Sequence, residues 1–233
     1  GTVIDVVCQP LAHRRKKLLV ADMDSTIIEQ ECIDELADAL GIRDAISEIT
    51  ERAMRGELEF EPALRERVSL LKGLAESELQ RVYETQITET PGGRMLCATM
   101  RKHGGTCALV SGGFTFFTER VAKSVGFTSN QANTLLVENG ALTGEVSNPI
   151  LGREAKVSAL KSLAANLKID PLETMAVGDG ANDLGMIGEA GLGVAFRAKP
   201  VVAAAAPAQI NHGDLSALLY IQGYRSDEIE NPA

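Results

Sequence analysis

Two carboxylates one residue apart, in Asp22-Met23-Asp24-Ser25-Thr26, follow the apolar run Leu18-Leu19-Val20-Ala21. At the end of a strand such a pair can supply a nucleophile and a proton-transfer group beside a bound cation. That pairing suits phosphoryl transfer. A phosphate monoester dianion repels anionic attack, so a carboxylate nucleophile such as Asp22 needs a divalent cation and fixed positive groups around the transferring oxygens. Mg2+ fits best, because it takes oxygen ligands in an octahedron while keeping several waters. The plain alternative is a helix cap, in which short polar side chains satisfy the first free N–H groups. The pentapeptide alone does not separate the two readings.

Other clusters weigh on the choice. Gly178-Asp179-Gly180-Ala181-Asn182-Asp183 reads either as an Asp-Gly turn or as a second set of oxygen ligands. Asp179, Asn182 and Asp183 together exceed what a turn requires. Val110-Ser111-Gly112-Gly113-Phe114 offers a hydroxyl and unobstructed N–H groups at a strand-to-helix junction, which suits a phosphate, or is simply a small-residue loop. Lys156, on the helix expected after Gly152, could bring a point charge to that phosphate, although a lone helical lysine is ordinarily solvated.

Elements that would carry these groups alternate along the chain. Short apolar runs at Leu18 to Asp22, Cys107 to Ser111, Met175 to Asp179 and Leu192 to Phe196 read as strands. Helical patterns fall at Gly93 to His103, Thr115 to Ser124, Glu154 to Leu167 and Asn182 to Glu189. This is the signature of an α/β fold, a Rossmann-like parallel sheet flanked by helices. Ligands of such sheets collect outside the carboxyl ends of the strands, so Asp22, Ser111 and Asp179 can converge. From Glu31 to Gln86 the chain is almost wholly helix-patterned, with Gly41, Gly56 and Gly73 as C-cap signals. We read residues 31–86 as a helical cap inserted after the first strand, and 1–30 with 87–233 as the catalytic core. A cap would exclude water and supply substrate-specific side chains. Glu138-Asn139-Gly140 predicts a small β-hairpin flap between Thr134 and Val146.

Composition limits the remaining classes. The chain has 233 residues, 45% hydrophobic and 24% charged, which suits an ordinary globular core. Acidic residues outnumber basic ones by 32 to 23, so a general nucleic-acid surface is not expected. The basic run His13 to Lys17 reads as a solvated lead-in to the first strand. Cys8, Cys32, Cys97 and Cys107 show no metal or disulfide spacing, and no apolar stretch approaches a membrane span, so a reduced cytoplasmic protein is expected. Gly1 to Val7 reads as a strand-like piece without a partner, the mark of a trimmed N-terminal region. His13, His103 and His212 fall outside every motif.

In their order, Asp22-Met23-Asp24-Ser25-Thr26, Ser111-Gly112-Gly113, Lys156 and Gly178-Asp179-Gly180-Ala181-Asn182-Asp183 resemble the haloacid dehalogenase superfamily of phosphatases, and within it the branch acting on phosphoserine. The resemblance covers Leu18 to about Tyr220. It implies that Asp22 attacks phosphorus to form an aspartyl-phosphate, while Asp24 protonates the leaving oxygen and later deprotonates water. The Mg2+ ligands would be Asp22, the Asp24 carbonyl and Asp179, with Asp183 holding the metal's surroundings or Lys156 in place. Ser111, Gly112, Lys156 and Asn182 would hold the phosphoryl oxygens. Phosphoserine carries an ammonium and a carboxylate. Their readers in the family pattern match Glu31 and the second arginine of Arg65-Glu66-Arg67-Val68-Ser69-Leu70-Leu71, namely Arg67. Met54 and Phe60 match apolar cap positions over the substrate, or are plain helix packing. The implied reaction completes serine biosynthesis, on a monomer or homodimer with no nucleic-acid or membrane partner. Transfer to an alcohol acceptor such as homoserine, action on another small phosphate ester, and a phospho-accepting regulatory module are the competing readings. A module of that last kind has no need of a leaving-group acid at Asp24.

Overall fold

Apolar runs without alternation belong inside a parallel sheet, where both faces are covered. Leu18–Ala21 forms such a strand, β1, with every residue fully buried. The computed structural model describes residues 3–54 and 57–232. Its other strands are β2 (Thr106–Phe114), β3 (Ser129–Asn133), β4 (Leu135–Glu138), β5 (Ala141–Val146), β6 (Thr174–Gly178), β7 (Leu192–Phe196) and β8 (Ala208–Ile210). One sheet runs in the order β3-β2-β1-β6-β7-β8 with every described pairing parallel, and β4 and β5 form a separate antiparallel hairpin. Register sets Ala21 beside Leu109 and Val177, so the polar residues following β1, β2 and β6 emerge at one edge.

Helices α1 (Cys32–Leu40), α2 (Arg43–Met54), α3 (Phe60–Ser69) and α4 (Glu76–Thr85) lie between β1 and β2, followed by α5 (Gly93–Lys102). Later come α6 (Thr115–Val125), α7 (Arg153–Leu167), α8 (Leu184–Glu189), α9 (Pro200–Ala205) and α10 (Ala217–Ile221). The two-residue period of the strands divides the core. Leu19, Ala21, Leu109, Met175 and Val177 join the packing that includes α5, α6 and the inserted helices. Leu18, Val20, Ala108, Val110 and Ala176 pack on Ala159, Leu160 and Ala164 of α7 and on Met186 of α8. Each fully buried Leu or Val side chain in these layers contributes roughly 1.5–3 kcal/mol.

The insertion hangs from the sheet by two connections that pair with each other. Glu29 N donates to Thr88 O at 3.0 Å, Thr90 N to Ile27 O at 2.9 Å, and Thr88 N to the Gln30 side chain at 2.8 Å. Within it, Gly41 ends α1 in the left-handed region, its N–H returning to Ala37 and Asp38. The hairpin turns at Asn139 and Gly140, at φ of 52° and 76°, the arrangement expected of Asn-Gly. It docks on the insertion through Gly73 N to Leu142 O and Leu142 N to Leu74 O, both 2.8 Å. Gly56, expected to end α2, lies outside the described residues.

Several expectations need correction. β3 carries the polar sequence Ser-Asn-Gln-Ala-Asn and β8 is very short, so neither announces itself by apolar pattern. Residues 3–10 form no strand. Val3, Ile4 and Val6 stay exposed, and the segment is held by a side chain instead of a ladder: Asp5 accepts from the N–H groups of Asn211, His212 and Gly213 at 2.8–3.0 Å. The basic run is a solvated lead-in only in part: His13, Arg15 and Lys17 are exposed, whereas Arg14 is half-buried and Lys16 is buried. Carbonyls at the end of α10 lack helical partners and attract cations. Arg14 Nε donates to Ile221 O at 2.7 Å, Arg15 pairs with Glu228 over the Tyr224 ring, and buried Lys16 donates to Leu172 O at 2.7 Å.

Burial works to raise the Asp5 carboxyl, but the backbone N–H groups of Asn211, Gly213 and His212 outweigh it and hold it below its ordinary value. A depressed carboxyl contributes stability at neutral pH that is lost as pH falls through the folded value. For this part-exposed group the contribution is about 1 kcal/mol after solvent screening. Asp5→Ala should therefore speed exchange of the Asn211, His212 and Gly213 amides roughly fivefold while the sheet amides hold. Wild type should reproduce that release well below pH ~4. Unchanged exchange in the variant would show that Asp5 does not hold the segment.

Candidate active site

Where β1 ends, Asp22 N still donates to Val177 O at 3.0 Å, and the chain then winds into a single wide turn over Met23–Ile27. Asp24 is extended, at φ −64° and ψ 138°, and Ser25 adopts the left-handed region at φ 53°. This reversal is closed by Ser25 N to Gln30 O at 3.1 Å and Ile28 N to Met23 O at 3.0 Å. The Asp22 side chain accepts from Met23 N at 2.8 Å, so the capping interaction is present alongside whatever chemistry the residue performs.

Asp22 is nearly buried and faces Lys156, which is 0% exposed. Lys156 Nζ lies 2.7 Å from Asp22 Oδ1 and 2.7 Å from Asp183 Oδ1. Burial by itself would depress this ammonium, but Asp183 and then Asp22 reverse the sign and hold it charged. Asp183 also accepts from Gly180 N at 3.1 Å, which fixes the loop after β6. Burial, and next the charge of Asp22, push Asp183 to about 7 and Asp179 to about 6, with Lys156 opposing in both. Thr26 Oγ1 donates to Asp179 Oδ1 at 3.4 Å, and Lys199 N donates to the Asp179 carbonyl at 3.1 Å.

Asp24 sits in a different environment. Its Oδ1 accepts from Cys32 N at 2.9 Å, at the start of α1, and its Oδ2 accepts from Ser111 Oγ at 3.1 Å. Loss of water around the half-buried carboxyl, and then the charge of Asp22, raise its pKa. Gly113 makes this approach possible, since a Cβ there would stand 2.6 Å from Asp24 Oδ2. Gly113 N also donates to Ser111 Oγ at 2.8 Å, so the hydroxyl is held from both sides.

From the insertion, Phe60 at the start of α3 reaches the sheet edge. Its ring occupies the notch left by Gly112 and Gly152, where added Cβ atoms would meet it at 3.1 and 3.0 Å. Glu31, just before α1, is exposed and accepts from Ser25 Oγ at 2.7 Å. Incomplete hydration, and then Asp24, raise it to about 8. Arg67 is half-buried on α3, bonded among the described residues to Ala63 O at 3.3 Å and Thr50 Oγ1 at 3.5 Å. Its charge is disfavoured by burial and supported by Glu31 and Asp34. Glu66 pairs instead with Arg52, at 3.3 Å. Asn182 folds its amide over Gly180, while the Met54 side chain lies outside the described residues.

Sequence reasoning missed Asn133, Cys32, Thr26 and Lys199. Asn133 lies in a strand without apolar alternation, and its side chain bonds to Gly112 O and to both backbone groups of Leu151. Cys32 acts through its backbone, for which the only signal was its place at the first turn of an expected helix.

Asp22, Asp179 and Asp183 each bring one carboxylate oxygen within 4.8 Å of the others. An all-oxygen, acidic donor set fits a hard divalent cation such as Mg2+. Asp183 is already bonded to Lys156 and Gly180, and both Asp24 carboxylate oxygens are engaged, which leaves Asp22 and Asp179 as the freer carboxylates. No helix among the described residues is long and apolar enough to cross a membrane.

Residues 19–187 match the family described as haloacid dehalogenase-like hydrolase. A phosphoserine phosphatase of Streptomyces coelicolor is 43% identical over 99% of this chain, which spans only 56% of that relative's length. One from Polaromonas sp. is also 43% identical, with 94% of this chain and 95% of the relative covered. Among solved structures, a phosphoserine phosphatase holding an analogue of its phospho-aspartyl intermediate superposes with a TM-score of 0.82 at 39% identity, covering 88% of this chain and 98% of the other.

If the carboxylate cluster takes Mg2+, the cation should stabilise the fold by mass action. At a hundredfold excess over Kd the gain is about 2.7 kcal/mol, or roughly 5–10 °C in Tm for a chain of this size. Asp179→Asn should remove most of that shift in a thermal melt. A shift that survives the substitution would place the cation elsewhere.

Proposed function

The chain belongs to the haloacid dehalogenase-like hydrolases, and within them we propose that it is a Mg2+-dependent phosphatase of O-phospho-L-serine, releasing L-serine and inorganic phosphate at the end of serine biosynthesis. The observation that carries this reading is the unequal treatment of two neighbouring carboxylates. Asp22 faces the Lys156 ammonium at 2.7 Å, whereas Asp24 is desolvated, hydrogen-bonded at both oxygens and raised in pKa. One is suited to be an anionic nucleophile and the other to keep a proton until a leaving group needs it.

In the proposed reaction an Asp22 oxygen attacks phosphorus as the bond to the serine oxygen breaks. Asp24 transfers its proton to that oxygen, and serine leaves. Asp24, now ionised, takes a proton from water, whose oxygen attacks the aspartyl-phosphate and frees Asp22 and inorganic phosphate. Mg2+ held by Asp22, Asp179 and the Asp24 carbonyl would neutralise charge on the transferring oxygens. Ser111, the Gly112 backbone, Lys156 and Asn182 hold those oxygens, and Asp183 keeps Lys156 in place. The solved relative with a phospho-aspartyl analogue supports the covalent step.

Residues 31–86 act as the cap in this proposal, and 1–30 with 87–233 as the core. Phe60 closes the cap over Gly112 and Gly152 and excludes water. Glu31 receives the substrate ammonium and Arg67 its carboxylate, in a cleft where their own charges already favour each other.

Phosphate release from phosphoserine should stop with EDTA and with Asp22→Asn in a malachite-green assay. Full activity of Asp22→Asn would eliminate the covalent route. Arg67→Ala should cost roughly 2–5 kcal/mol in kcat/KM for phosphoserine and far less for an ester lacking a carboxylate. Equal losses on both esters would remove Arg67 from substrate recognition.

A further inference from the structure

From the hydrogen bonds of its side chain, we infer that Asn133 is a positioning residue that sets the phosphoryl-holding groups of the phosphate loop and of α7 at a fixed distance from each other. The inference rests on the phosphatase reading above. Asn133 is the last residue of β3 and is 2% exposed. Its amide nitrogen donates to Gly112 O at 2.8 Å and to Leu151 O at 3.2 Å, and its carbonyl accepts from Leu151 N at 2.7 Å. Both amide hydrogens and the oxygen are thereby used, across three separate segments of chain.

Backbone pairing cannot do this work here. The β2–β3 ladder runs in register from Ala108 opposite Ser129 to Val110 opposite Gln131, then shifts, resuming with Phe114 opposite Asn133. Ser111, Gly112 and Gly113 fall in the gap. A bulge of this kind re-aims side chains but leaves its own peptides unpaired. The Asn133 amide supplies the missing partner for the Gly112 carbonyl. At the other end of that same peptide unit, Gly113 N donates to Ser111 Oγ, which in turn donates to Asp24 Oδ2. A planar peptide held at both ends cannot rotate, so Ser111 and Gly112 are presented in one orientation.

On its other side Asn133 clasps both backbone groups of Leu151. Gly152 follows and precedes α7, whose fourth residue is Lys156. A single side chain thus indexes Ser111 and Gly112 against Lys156. Both strand partners and both phosphate-holding segments would still exist without it, but their spacing would be free to drift. Misplacement of reacting groups by about 1 Å can lower a rate by about a hundredfold.

The test uses Asn133→Ala and Asn133→Asp in the full chain with Mg2+. The second variant keeps the shape and the acceptor for Leu151 N but loses both amide donors. Circular dichroism and Tm first establish the folded fraction. Inhibition of phosphoserine hydrolysis by inorganic phosphate and by L-serine is then measured on folded protein. Positioning predicts a fall in kcat/KM of about a hundredfold, a phosphate inhibition constant raised about tenfold, and a serine inhibition constant unchanged within about twofold, because serine is read by Glu31 and Arg67. A merely structural residue would lower the folded fraction without separating the two constants. Equal weakening of both, an unchanged phosphate constant, or failure of both variants to fold would overturn the inference. Wild type that neither hydrolyses phosphoserine nor binds phosphate would instead overturn the phosphatase reading, before any variant is compared.

Discussion

A buried ammonium between two carboxylates is the constraint around which this molecule is arranged. Lys156 is fully enclosed, with Asp22 and Asp183 each 2.7 Å away. Burying any one of these charges alone would be prohibitive, and replacing one partner would strand the others. Their compensation requires three chain segments, the end of β1, the loop after β6 and the first turns of α7, to meet with little tolerance. The parallel sheet meets that requirement because β1 and β6 are neighbours in register. Even so, carboxylates outnumber cations at the sheet edge. Burial, and after it the charge of Asp22, push Asp179 and Asp183 above the usual carboxylate range, and the surplus of acids suits the site to a divalent ion.

Asp24 follows from the same crowding. It stands close enough to Asp22 for the second negative charge to be resisted, and the N–H of Cys32 and the Ser111 hydroxyl fix where its proton would be delivered. One of those donors belongs to the inserted helices and the other to the sheet. The Asp24 carboxyl is therefore aligned by the joint placement of both parts, and Phe60 packs in its two-glycine notch between them.

Much of this was legible in the sequence, for identifiable reasons. β1, β6 and β7 are apolar on both faces, so composition alone announced them. Asn139-Gly140 fixed the hairpin because few other pairs accept two positive φ values in succession. What escaped detection relied on polar atoms acting through space. β3 is a polar edge strand whose pairing comes from position, and Asn133 gains meaning only when Gly112 and Leu151 arrive beside it. The partners of Arg14, Arg15 and Lys16 went unseen for a similar reason: they are carbonyls and an acid 156 to 213 positions away, which no local window contains.

The two connections to the inserted helices leave and re-enter the sheet at one place, with Ile28 facing Glu89 across an antiparallel bridge. In such a pair the backbones lie about 5 Å apart, a gap that a tight turn could span. The path of the sheet is accordingly indifferent to what is inserted there. Evolution could enlarge, shrink or exchange these helices without rethreading the chain that carries Asp22, Asp24 and Lys156. The route of the backbone thus lets the length of the insertion vary while the strands that flank it keep their places.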